Sequence, residues 1–207
     1  LAACFGKQNL LAFLGFSRES QGSEANYKRC KDLGIAFLLC SGLFSEYNEG
    51  MDSTTLRQEA ITLINATTEV LEEYLTLHNR LFSWKNLLGW NKFEDLKIAI
   101  PLVQKKLGDM DQQAKDYLEQ AKSLADPIAD KPTLVEFYTL LANYLDSLKM
   151  AAQIMGRLLV QIEAKSKKMG EFKQSTYETE MIMYKQKVDK YQLYGMQLNA
   201  LINRLKA

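Results

Sequence analysis

The chain has 207 residues, 47% of them hydrophobic and 25% charged, with 26 basic against 25 acidic side chains and a formal charge of +1. That composition is enough for one domain with a real core, and it excludes disorder, a collagen-like repeat and a small disulfide scaffold. The near-zero charge lacks the basic excess of a dedicated nucleic-acid binder, so no nucleic-acid partner is expected and any electrostatic partner must be met locally.

The rarer side chains narrow the chemistry further. There is one histidine, His78, and three cysteines, Cys4, Cys30 and Cys40. One histidine cannot build bis-histidine haem ligation, a His-based zinc site or the twin Glu-x-x-His ferritin arrangement within one chain. No Cys-x-x-Cys pair, P-loop, Rossmann glycine pattern or nucleophile elbow occurs, so no metal, no cofactor and no enzymatic activity are expected. If their segment is helical, Cys30 and Cys40 are separated by roughly 15 Å, too far for a bridge. The thiols read as free.

The first residues, Leu1-Ala2-Ala3-Cys4, fit the bacterial lipobox pattern. This makes Cys4 a candidate lipidation site and would place the chain in the bacterial envelope; without lipidation a cytoplasmic protein is expected. A start at Leu1 rather than Met reads as a processed product or a fragment. Against lipidation, the stretch from Phe5 to Leu11 turns apolar at once and offers no polar tether. Residues 1–51 are punctuated by Gly6, Gly15, Gly22, Gly34, Gly42 and Gly50, with a polar linker from Ser17 to Glu24. This predicts an N-terminal unit of two short helices, near residues 6–16 and 25–46, packed on the rest. The run from Leu33 to Phe44 is apolar all round, but about 12 residues fall short of the roughly 20 that span a bilayer.

From residue 52 to 207 the apolar positions alternate steps of four and three, in four successive seams. The first is Leu56, Ala60, Leu63, Thr67, Val70, Tyr74, Leu77, Leu81, Trp84 and Leu88, opened by Asp52 and Ser53 as N-caps and closed by Gly89. The second is Leu96, Ile100, Val103, Leu107, Met110, Ala114, Tyr117, Ala121, Leu124 and Ile128. Pro101 lies within it, and should either kink that helix or mark its first turn. The third is Leu134, Tyr138, Leu141, Leu145, Leu148, Ala152, Met155, Leu159 and Ile162, announced by Asp130-Lys131-Pro132 and a capping box from Thr133 to Glu136. A second stripe of Phe137, Leu140, Tyr144, Ala151, Ile154 and Leu158 widens its apolar face, so this helix should be the most buried. The fourth is Tyr177, Met181, Tyr184, Val188, Tyr191, Gly195, Leu198, Ile202 and Leu205, with a polar face rich in Lys and Gln.

Four helices of about 33 to 36 residues, each roughly 50 Å long and joined by about four to seven residues, must lie antiparallel to their neighbours. The expected fold is all-α: an elongated up-down-up-down four-helix bundle carrying the two short N-terminal helices.

Threading that topology puts the first and third connections at one end, where Trp84, Lys85, Trp90, Lys92 and Phe93 meet Lys165, Lys167, Lys168 and Lys173. With Lys97 included, the lysines there exceed Glu94, Asp95, Glu163 and Glu171 by three charges. Aromatic bodies beside lysine stems suit a headgroup layer or an acidic protein surface, and equally a plugged bundle end with lysines complementing a helix C-terminus. His78, beside Leu77 and near Glu73 and Tyr74, reads as a boundary histidine. Glu69, Glu72, Glu73, Asp109, Asp111 and Asp116 read as solvated helix faces. The tyrosines and methionines of the last two helices, among them Tyr144, Tyr184, Tyr191, Met155, Met183 and Met196, read as core filler or the lining of an apolar pocket.

The reading that follows is a non-enzymatic protein that binds another macromolecule as an adaptor, envelope component or assembly subunit. The alternative is a membrane-surface protein that uses the Trp/Lys tip. The sequence leaves the oligomeric state open.

Overall fold

The computed structural model describes residues 52–83, 93–125, 130–168 and 172–206, with only the backbone of Asn203, Arg204 and Lys206. The N-terminal unit expected over 1–51, including Cys4, lies outside the described residues, as do Trp84, Lys85, Trp90 and Lys92 of the tip. The described residues form four helices packed against one another: α1 (Ser53–Leu81), α2 (Glu94–Ser123), α3 (Lys131–Ser166) and α4 (Gln174–Lys206). No strand occurs among them.

The four seams account for the packing. Leu56, Ala60, Leu63, Thr67, Val70, Tyr74, Leu77 and Leu81 are all buried on α1. On α2 every seam residue from Leu96 to Leu124 is buried except Tyr117, which is half-buried, and all nine seam positions of α3 are buried. The second stripe deepens α3 further, with Phe137, Tyr144, Ala151, Ile154 and Leu158 at 0 to 4% exposure. α4 joins the core only from its third turn on: Tyr177 and Met181 are half-buried, and Tyr184, Val188, Tyr191, Gly195, Leu198, Ile202 and Leu205 are buried.

Cross-helix bonds fix the helix directions. Glu73 and Arg80 of α1 pair with Lys106 and Asp95 of α2, and Tyr117 donates to Glu59, so α1 and α2 run opposite ways. Lys97 to Glu163 and Gln104 to the Ala152 carbonyl set α2 against α3, and Arg157 to Glu180 sets α3 against α4 in the same antiparallel sense. Tyr138 donates from its buried hydroxyl to the Leu56 carbonyl at 2.7 Å, joining the starts of α1 and α3.

The helix ends depart from the sequence expectation in three places. α1 starts as expected, with the Asp52 carboxylate accepting from the Thr55 N–H at 2.8 Å, but it stops at Leu81 rather than Gly89. Its last turn tightens, with the Ser83 N–H on the Arg80 carbonyl, and the Phe82 ring turns onto His78 and Tyr184. α2 begins at Glu94, so Pro101 lies inside the helix on its exposed face, and is not its first turn. Glu94 and Asp95 supply the negative charge that a helix start favours. α2 also ends at Ser123, before the Ile128 expected to close its seam. α3 starts at Lys131, so the expected capping box is not formed; Thr133 and Glu136 lie within the helix. Pro132 lacks the N–H that a cap would satisfy. The Asp130 carboxylate is taken instead by Arg57 of α1 at 3.0 Å.

Two backbone features follow from close packing and turning. At Gly156 of α3 an added Cβ would meet Gln104 Nε2 at 3.0 Å and Ile100 Cγ2 at 3.6 Å, so the glycine admits the Gln104 bond across to α2. After α3, Lys168 adopts φ 52°, the left-handed conformation that ends helices and that a side chain disfavours. Lys168→Gly is expected to stabilise the four-helix unit by about 1 kcal/mol, raising its melting temperature by roughly 2–4 °C in thermal denaturation; an unchanged or lowered midpoint contradicts the strain.

Candidate functional site

Three arrangements of polar and aromatic groups stand out. At the tip, Lys97 of α2 and Lys167 after α3 both donate to Glu163 Oε1, at 2.8 and 2.5 Å. Glu163 is nearly buried, and the bonds from Lys167 and then Lys97 hold its carboxyl below the usual carboxylate range. The Lys165 ammonium lies 5.3 Å from the Phe172 ring centre and 6.0 Å from that of Tyr177, within cation–π reach. Phe93 is only 4% exposed, so it plugs the bundle rather than presenting a ring outward. Lys168 and Lys173 are exposed. The structure thus brings Lys97, Lys167 and Lys165 into internal pairings at one end of the helices.

Between α2 and α3 lies a charge cluster that the sequence reading placed in solvent. Asp111 is 3% exposed, the one member of its acidic set to be buried. Its Oδ2 accepts from Lys149 of α3, and from Lys115 one turn on at 3.0 Å, while its Oδ1 is buried without a hydrogen-bond partner. Burial pulls the Lys149 ammonium down, but the Asp111 and Asp146 carboxylates outweigh it and leave the pKa raised. The clue in the sequence was position: Asp111 follows the seam residue Met110 and faces α3, where a carboxylate needs a cation from a neighbouring helix.

The third arrangement joins α1 to α4. The Tyr74 and Tyr184 hydroxyls are 2.6 Å apart, and the Tyr184 hydroxyl is 2.6 Å from His78 Nδ1. The His78 ring stacks on Tyr184, centroids 5.8 Å apart and planes 11° from parallel, with Phe82 closing one side. Tyr191 meets Tyr74 and Tyr144 edge-on, both at 6.0 Å. Burial pushes the phenols of Tyr74, Tyr144, Tyr184 and Tyr191 up, well beyond neutral pH. The sequence placed Tyr74, Tyr184 and Tyr191 on their seams and His78 at a boundary, but one helix's periodicity carries no record of which hydroxyl meets which. Met155 also joins the core, whereas Met183 and Met196 face outward.

Among the described residues no group of three or more His, Cys, Asp or Glu is arranged to hold a metal, and no helix is long and apolar enough to cross a membrane. No family model, curated protein or solved structure matches the chain.

The Asp111–Lys149 pair is a test of how much this interior depends on charge. Asp111→Ala is expected to cost about 2–4 kcal/mol in urea denaturation, because it leaves Lys149 half-desolvated. Replacing both, with Asp111→Leu and Lys149→Met, should restore stability to within about 1 kcal/mol of the parent. Equal losses in the single and double variants would show that packing, not the unpaired charge, sets the cost.

Proposed function

We propose that this chain is a non-enzymatic, elongated up-down-up-down helical bundle that acts by binding another protein, and that the surface it uses is the outward face of α4. The observation that carries the reading is the apolar surface of that one helix. Ile182, Leu193 and Met196 are 59, 49 and 42% exposed, and Met183 adds to them at 38%. Isolated exposed apolar residues need no explanation. Here, however, Ile182, Gln186, Asp189, Leu193, Met196 and Ala200 repeat the four-and-three spacing of the buried seam on the opposite side of the helix, and all six are exposed.

A second seam of this spacing matches the stripe that one helix offers another, and its polar members, Gln186 and Asp189, are the kind that set register at a cost in affinity. Lys185 and Lys190 flank it, exposed, against the single carboxylate of Asp189. The occupant that fits is an amphipathic helix of a partner protein with acidic residues beside its apolar stripe.

The membrane alternative draws less support from the described part of the tip. Phe93 is buried there, and Lys97, Lys165 and Lys167 are engaged within the chain.

A photo-crosslinking residue at Gln186, in the full chain within cells of its source, is expected to capture a protein, whereas one at Glu72 on the polar face of α1 is not. Leu193→Glu should abolish the Gln186 crosslink while leaving the melting temperature within about 2 °C of the parent. Crosslinks only to lipid, or equal capture from both positions, would count against the reading.

A further inference from the structure

α2 carries on its outward side the same kind of surface as α4. Ile98, Leu102, Lys105, Asp109, Gln112 and Asp116 repeat the four-and-three spacing two residues on from the buried seam, and all six are exposed. Two residues are about 200° around a helix, so this stripe points away from the core. Ile98 and Leu102 are 66 and 57% exposed, and Pro101 lies exposed between them. The apolar end of the stripe is thus towards the start of α2, and the charged residues follow it.

We propose that the partner of the α4 stripe is a second copy of this chain, which offers the outward stripe of its α2 in the antiparallel sense. The proposal rests on the reading of α4 as a protein-binding surface and names its occupant. With the two helices antiparallel, setting Ile98 level with Met196 brings Leu102 level with Leu193, Lys105 with Asp189 and Asp109 with Lys185, each to within one residue. Two apolar pairs are followed by two pairs of opposite charge, all from side chains that each helix already presents to solvent. The parallel sense fails on charge. Matching Ile98 to Leu193 and Leu102 to Met196 in that sense sets Glu94 beside Asp189, a like-charge pair, and leaves Lys105 beside Ala200.

The α2 stripe is also the chemistry that α4 asks for, an amphipathic helix with carboxylates beside its apolar residues. It is already folded, so docking carries no cost of ordering a helix. α2 and α4 pack on α3 as its two principal neighbours, and each turns its own stripe outward, so one copy has an α4 stripe for one neighbour and an α2 stripe for another. A contact between two different patches is heterologous, and such contacts build rings or open chains.

Sedimentation velocity of the full chain, at concentrations up to about 0.5 mM, tests the assembly. The parent is expected to grow beyond a dimer as its concentration rises. Leu102→Glu and Leu193→Glu each spoil one of the two stripes at an exposed position, so each variant alone should stay monomeric with a melting temperature within about 2 °C of the parent. An equimolar mixture of the two should form a dimer and nothing larger, because each supplies the stripe that the other lacks. Asp189→Lys should weaken the parent's association about tenfold, and Lys105→Asp in the same chain should restore it. A parent that stays monomeric, a Leu102→Glu variant that still associates with itself, or a mixture that stays monomeric would each overturn the proposal. A monomeric parent whose Gln186 crosslink captures a different protein removes this occupant and keeps the α4 surface, whereas no protein captured at Gln186 removes both.

Discussion

The wide apolar face of α3 is the constraint on which the other three helices depend. Its seam and second stripe together cover more than half its circumference, far more than one neighbour can hide. α2 packs along one flank, α4 along another, and α1 lies where Tyr138 reaches the Leu56 carbonyl. Hydrophobic burial of this kind is non-directional and sets which surfaces meet, leaving the register to polar contacts. Those contacts are the Gln104 bond to the Ala152 carbonyl, admitted by Gly156, and the Tyr138 bond to the Leu56 carbonyl. Each ties a side chain to a backbone carbonyl on another helix, and so fixes an axial position that a row of leucines would leave free to slide.

The interior handles polarity in two ways with different consequences. Between α2 and α3 it holds a carboxylate with ammonium groups from both helices, a pairing strong while intact and costly when either partner is removed. Between α1 and α4 it uses phenols and one imidazole, all neutral near pH 7. The first arrangement needs its charges. The second rests on hydrogen bonds and ring contacts between neutral groups.

Much of this was legible in the sequence because it rests on periodicity. The four seams, the Asp52 cap and the exceptional burial of the third helix all follow from spacing within single segments. What failed is what spacing does not encode. α1 ends at Leu81 rather than Gly89, and the next residue, Phe82, packs its ring against Tyr184 of another helix, a contact that no spacing within α1 records. The Thr133–Glu136 capping box read well locally, but Asp130 and Pro132 start the helix earlier, with Arg57 drawing off the carboxylate. Asp111 sits among lysines as a surface residue would, and only the approach of α3 turns it inward. The tip was visible as composition, yet composition could not tell that Glu163 collects two of its lysines and that Phe93 faces in.

α4 brings these strands together because it is apolar on two sides. Its inner face, through Tyr184 and Tyr191, reaches α1; its outer face, through Ile182, Leu193 and Met196, meets solvent. A ligand shifts a conformational balance only by the difference in its affinity for the two states. A partner confined to the outer stripe leaves the contacts of Tyr184 and Tyr191 with α1 untouched, so its affinity carries no cost of opening the bundle. A partner that needed the phenol face would first have to displace α1, and its affinity would fall by the free energy of that displacement. The cheaper of the two surfaces is therefore the one that α4 already turns to solvent.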